Sequence, residues 1–121
     1  MRESGEMYLE TILILSNQQN SVRSIDIAEY MNYSKPSVSR AVNNLKRDGY
    51  IIVDDRGNIA LTKNGRDIAE KIYERHTVLS QIFEAMGVSK EVAADDACRV
   101  EHVISDETFE AFKKYLTTIE Q

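Results

Sequence analysis

The texture of the chain changes once, at Tyr50, and that change limits the folds open to it. Tyr50-Ile51-Ile52-Val53 is β-branched and apolar, Asp54-Asp55-Arg56-Gly57-Asn58 carries turn chemistry, and Ile59-Ala60-Leu61 resumes the apolar run. Such a pattern is a short β-hairpin. The sequence on either side reads as helix. Leu9, Ile12, Leu13 and Leu15 recur at helical spacing within residues 2–16, and Asn17 to Asn20 read as the stop. Ser24 is placed to cap a short helix with Ile25, Ile27, Ala28 and Met31 apolar, and Asn32-Tyr33-Ser34 is a turn. Ser34 is a good N-cap for a third helix, and Pro36, the only proline, falls in its first turn, where a missing N–H costs nothing. Val38, Ala41, Val42 and Leu45 form the buried stripe of that helix, which Gly49 ends.

Beyond the hairpin, Thr62 is placed to cap a long helix whose stripe is Ile68, Ile72, Leu79, Ile82, Phe83 and Met86, up to Gly87. Ser89 caps another helix through about Ile104, and Ser105 caps a last one with Phe109, Phe112 and Leu116 spaced for packing. The expected fold is mainly α with a small β-hairpin. A winged helix-turn-helix domain over residues 1–62 is followed by a helical domain over 63–121.

Length and composition allow one compact domain, or a small one with a helical arm: 121 residues, 42% hydrophobic and 29% charged. The longest apolar run is too short to cross a bilayer and no secretory signal opens the chain. A lone cysteine cannot close an internal disulfide, so a reducing cytoplasm is the expected compartment. The net charge of −5 argues against a polyanion partner until it is divided along the chain. Residues 20–66 carry eight basic and five acidic side chains, whereas residues 67–121 carry six basic and twelve acidic. The middle segment tolerates polyanions, and the acidic remainder suits cations.

On the third helix, the face away from the stripe carries Ser37, Ser39, Arg40, Asn43, Lys46 and Arg47, with Ser34, Lys35 and Pro36 at its start. Hydroxyls and amides there can bond base edges or phosphates, and Arg40 has the fork to read guanine bidentately. Arg56, in the hairpin turn, is placed to touch a phosphate or the minor groove. A polar helix face alone marks only a wet surface. A hydroxyl-rich start, a basic last turn and a wing together point to double-stranded DNA.

The second constellation is Cys98-x-x-Glu101-His102, which on a helix presents a thiol, a carboxylate and an imidazole on one face. His76, the only other histidine, lies along the stripe of the long helix, and Met7 and Glu10 are i, i+3 on the first. Singly, the methionine, histidine and cysteine would be core residues and the glutamates would be solvated. Together they offer ligands for a transition metal. No His-Glu-x-x-His pattern is present, so a hydrolytic metalloenzyme has little support and the chain is not expected to be an enzyme.

With these residues in view, the sequence resembles the metal-dependent repressors of the diphtheria toxin repressor and manganese transport regulator type. The resemblance runs over essentially the whole chain. It is densest in Glu6–Glu10, Ser34–Ser39, Arg47–Tyr50, Leu61-Thr62 with Gly65, and Ala97–Glu107. It implies a homodimer built on the last helices, which binds palindromic operator DNA when loaded with Fe(II) or Mn(II) and represses metal-uptake genes; the second domain then serves metal binding and dimerisation. Met7, Cys98, Glu101 and His102 match the primary ligands of the iron branch, His76 matches a second-site ligand in both branches, and Glu10 fits the manganese branch. The manganese branch has an aspartate in place of Met7 and a glutamate in place of Cys98. The iron branch's other second-site ligands fall on Ser80 and Ala94, which cannot serve. A chain closing at Gln121 is expected to lack the SH3-like domain of longer iron-type members.

Thioether and thiolate donors favour Fe(II), Co(II), Ni(II) or Zn(II) over Mn(II), which places Fe(II) first and Mn(II) second. Without metal, Glu10, Glu101, Asp95 and Asp96 are expected to crowd negative charge that a divalent ion would neutralise while tying the first helix to the fifth. Competing readings are a metal-independent winged-helix regulator that senses a small ligand or an oxidant through Cys98, and a small metalloenzyme or storage module. The storage reading leaves the Ser34–Arg47 helix unexplained.

Overall fold

The computed structural model describes residues 2–120. Six helices and two strands follow in the order α1 (Glu3–Gln18), α2 (Ser24–Met31), α3 (Lys35–Arg47), β1 (Ile51–Val53), β2 (Ile59–Leu61), α4 (Lys63–Ala85), α5 (Lys90–Val100) and α6 (Asp106–Ile119). The chain forms two compact units that divide between Glu70 and Lys71, within α4. The division expected from sequence, between residues 62 and 63, falls where α4 begins.

In the first unit α1 packs on α2, α3 and β2. Leu9, Ile12, Ile27, Val38, Leu45 and Ile51 form the centre of its core. Burying each such side chain contributes about 1.5–3 kcal/mol relative to leaving it in water. The hairpin pairs antiparallel with Ile51 opposite Leu61, Ile52 opposite Ala60 and Val53 opposite Ile59. Period-two alternation buries Ile51 and Ile59 while Ile52 points outward, 61% exposed. The hairpin is stitched to the rest by the Ile59 N–H, which donates to the Val22 carbonyl at 2.7 Å.

The turn before α3 forms as its residues dictate. Asn32 adopts the left-handed region at φ 57, which asparagine tolerates, and the Ser34 hydroxyl accepts from the Ser37 N–H. Ser24 is the first residue of α2 and not its cap: Arg23 holds that position, and the Asp26 carboxylate accepts from the Arg23 N–H at 2.8 Å. Two apolar residues expected inside are outside, Ile25 at 41% and Met86 at 72% exposure. Met86 lies just past the end of α4, which stops at Ala85, so the stripe closes with Phe83.

In the second unit Val78 and Ile82 of α4 pack with Phe109 and Leu116 of α6, and Phe83, Ile104 and Phe112 lie against them. Ser89 and Ser105 cap α5 and α6 through the Val92 and Thr108 N–H groups. Helix α5 ends at Val100, four residues earlier than the periodicity suggests.

Entry to α4 depends on two small groups. The Thr62 hydroxyl donates to the Gly49 carbonyl at 2.7 Å and accepts from the Gly65 N–H at 3.2 Å. Gly65 then presses against the backbone just before β1 so closely that a Cβ there would overlap the Tyr50 carbonyl oxygen. A backbone neighbour cannot swing aside as a flexible side chain can. Gly65→Ala should therefore lower stability by about 2 kcal/mol or more. A thermal melt should show this as a drop of several degrees, and an unchanged midpoint would mean that α4 does not meet the hairpin at this distance.

Candidate metal centre and nucleic-acid interface

Glu101 is the centre of the polar group in the second unit. Its side chain has no exposure to solvent. The His76 Nδ1 atom lies 2.9 Å from Glu101 Oε2, and the His102 Nε2 atom lies 3.3 Å from Glu101 Oε1. One carboxylate thus meets an imidazole at each oxygen. His76 is 31% exposed and His102 only 2% at the side chain, so the group is buried on one flank and open to solvent at His76.

Position on the elements explains the geometry in part. His76 projects from α4. Cys98, half-buried, sits in the last turn of α5. Glu101 follows as the cap residue at φ −58 and ψ −26, and its N–H still donates to the Ala97 carbonyl at 2.9 Å. Cys98 and Glu101 therefore keep the expected helical spacing. His102 does not belong to the helix; it lies in the turn that follows.

The turn is gripped by Arg75, a residue that sequence reasoning did not single out. Its side chain is buried, and Nη1 donates to the carbonyls of Glu101 at 3.1 Å and Ile104 at 2.7 Å. Nη2 donates to the Asp106 carboxylate, and the guanidinium carbon sits 5.5 Å from the centre of the Phe109 ring. Both carbonyls, which lie past the end of α5, thereby find a partner without a backbone N–H. Charge-assisted bonds of this kind are worth about 1.5–3 kcal/mol each. The sequence does hold a signal for Arg75, which stands at i+3 from Ile72 and i−4 from Leu79, a charge inside an apolar stripe.

The donor types and spacings fit a divalent cation. Adjacent ligand atoms bonded at about 2.1 Å and a right angle stand about 3.0 Å apart, close to the two contacts at Glu101. Cys98 adds a soft donor one turn away. The two remaining candidates are on α1 in the first unit, where Glu10 is 8% exposed and Met7 is half-buried. Both glutamates are thus withdrawn from solvent, against the ordinary expectation for the residue type. Asp95 and Asp96 are exposed on α5, so they do not share the burial of Glu101.

On α3 the side chains of Lys35, Pro36, Ser39, Arg40, Asn43 and Lys46 are exposed, and so is Arg56 in the hairpin turn. Ser34 and Ser37 are engaged within the helix start. The Ser34 hydroxyl donates to Ser37 Oγ at 2.8 Å, and Arg40 Nη2 donates to the same oxygen at 3.4 Å. Ser37 therefore orients Arg40. Arg47 is held by Asp48 and Asn44, and the Asp48 carboxylate pushes its pKa up. Asp54 builds the hairpin turn by accepting from the N–H groups of Arg56 and Asn58 at 2.8 and 2.9 Å.

Two family models match the chain. Residues 1–59 match the iron dependent repressor N-terminal DNA binding domain, and residues 62–121 match the iron dependent repressor metal binding and dimerisation domain. An uncharacterised helix-turn-helix transcriptional regulator of Methanocaldococcus jannaschii is 30% identical over 96% of this chain and 94% of its own length. The diphtheria toxin repressor of Corynebacterium diphtheriae is 31% identical over 97% of this chain and 52% of its own. Among solved structures, the manganese regulator SloR superposes with a TM-score of 0.83 at 28% identity, covering 93% of this chain and 53% of the other. The chain thus spans about half the length of the last two.

The exposed end of the Arg75 network gives a pH signature. A hydrogen bond from Lys71 and its charge, with Arg75 adding to them, hold the Asp106 carboxyl below its ordinary value of 3.8. A depressed folded-state pKa stabilises the fold above the unfolded value, and that contribution disappears as pH falls through the folded one. Asp106→Asn should lower the thermal midpoint at neutral pH and flatten its decline below pH 3.8. Melts of both proteins across the acid range will check this; parallel curves would refute it.

Proposed function

The chain belongs to the iron-dependent repressor family of metal-dependent transcriptional regulators, and on that premise we propose that it represses transcription by binding operator DNA as a homodimer when loaded with a divalent transition metal. The observation that carries the proposal is the buried Glu101 carboxylate set between the rings of His76 and His102. We assign His76, Cys98, Glu101 and His102 as ligands from the second unit and Met7 and Glu10 as ligands from α1. Bound there, the metal supplies a divalent charge shared by side chains from separate helices.

The chain's own groups do the rest. Glu101 presents one oxygen to each imidazole, so its carboxylate would hold the metal together with the two rings. Cys98 and Met7 supply sulfur, and sulfur donors favour Fe(II) over Mn(II). Fe(II) is therefore the first choice of effector and Mn(II) the second; the structurally similar SloR is a manganese regulator. Metal can shift the protein between arrangements only through its different affinity for each.

We assign Ser34, Lys35, Pro36, Ser37, Ser39, Arg40, Asn43 and Lys46 to the DNA-reading face and Arg56 to the wing. In a homodimer assembled through the last helices, two such faces about one helical turn of DNA apart match a two-fold operator. No helix among the described residues is long and apolar enough to cross a membrane. Metal-uptake genes are the proposed targets.

His102→Ala should abolish metal-stimulated operator binding while circular dichroism still shows a folded helical protein. Anaerobic gel shifts with Fe(II), Mn(II), Co(II) and Zn(II), each with and without chelator, give the measurement. Equal operator binding with and without chelator would overturn the reading in favour of a metal-independent regulator acting through Cys98. Arg40→Ala should weaken specific binding by about 1–3 kcal/mol and leave metal affinity unchanged, read by pairing the gel shift with a metal titration.

A further inference from the structure

We infer that Arg75 is a positioning residue for the metal ligands: its guanidinium holds the turn after α5 in the course that sets the Glu101 carboxylate between the His76 and His102 rings. The inference deepens the ligand assignment above and rests on it. The first support is what Arg75 grips. Of the two carbonyls that Nη1 bonds, one belongs to Glu101 itself and the other to Ile104, so the pair brackets His102. The second is where Arg75 stands. It immediately precedes His76 on α4, so one stretch of helix carries both a ligand and the clamp on the opposing ligands.

The third support is the shape of the group. A guanidinium is a rigid planar fork, and here it reaches two carbonyls with one nitrogen and the Asp106 carboxylate with another, under the face of Phe109. A lysine at the same position keeps the charge but presents a single point, and it cannot satisfy the same partners in the same plane. With Arg75 only 5% exposed, no water replaces the lost bonds easily. The Glu101 and Ile104 carbonyls then lose their partner, the turn loosens, and His102 turns away from Glu101.

The test is Arg75→Lys in the full chain, with Mn(II) and Co(II) as probes titrated against a competing chelator. Three results are expected. Affinity for both probes falls about 10–100-fold, as for other residues that orient ligands without touching the metal. The d–d absorption of bound Co(II) changes in position or intensity. Amide hydrogen exchange at His102 to Ser105 accelerates in the metal-free protein. Lys113→Ala, which breaks the exposed Lys113–Glu74 pair of the same unit, serves as the control for stability alone and should leave all three unchanged.

Wild-type affinity and an unaltered Co(II) spectrum in Arg75→Lys would overturn the inference. If that variant does not fold, Asp106→Asn, altered at an exposed side chain, reads the same quantities. It should show a smaller loss in the same direction, and no loss would again overturn the inference. Failure of the ligand assignment has a different signature: the wild-type chain takes up neither probe, or His102→Ala binds both as well as wild type. In that event the exchange rates at His102 to Ser105 still decide whether Arg75 holds the turn.

Discussion

A carboxylate with no contact with solvent is a charge that the fold must compensate, and Glu101 is that charge. An unpaired buried carboxylate is tolerated poorly enough that the group protonates instead. Here each oxygen meets an imidazole nitrogen. A neutral ring donates through only one of its two nitrogens, so the 2.9 Å contact favours the tautomer that carries hydrogen on Nδ1 of His76. That same atom binds a cation only through its lone pair.

In the first unit α1 shares its core with α3. Its residues Leu9 and Ile12 are fully buried in the core that also holds Val38 of the reading helix. Tyr8, between Met7 and Leu9, meets Tyr33 edge-on with ring centres 6.1 Å apart. Tyr33 lies in the turn that precedes α3, and Arg40 on α3 acts electrostatically on the Tyr8 hydroxyl. Any restraint applied at Met7 or Glu10 is thus applied to a helix that shares a close-packed core with the reading element. Close-packed interiors transmit small displacements because they have little free volume to absorb them.

Much of this was legible in the sequence. Periodicity and capping chemistry located every helix, since Ser34, Thr62, Ser89 and Ser105 each act where the local backbone leaves N–H groups without partners. The hairpin followed from β-branched runs around Asp54 and Gly57. What was hidden is what depends on residues far apart in sequence. The turn after Val100 is bonded by Arg75, more than twenty residues away, a contact that periodicity does not register. The burial of Glu101 was hidden for the same reason, because its partners come from two other stretches of chain. Arg23 and Asp26 took the cap position from Ser24 through a backbone bond that periodicity does not register.

An acidic chain that reads DNA requires that electrostatics act locally. At physiological ionic strength the screening length is about 8 Å, so a phosphate responds to the side chains it touches and hardly to the net charge of −5. The exposed cations of the reading helix and wing, Lys35, Arg40, Lys46 and Arg56, lie in the segment with a positive balance. Nonspecific affinity scales with the number of phosphates neutralised, and each such contact steepens the salt dependence. Arg47 is already engaged by Asp48 and Asn44, which leaves it less available to a phosphate. Doubling the contacts in a homodimer multiplies their equilibrium factors when both faces can engage at once. Control of the geometry between two faces is thus a stronger lever on repression than any change in the charge of one.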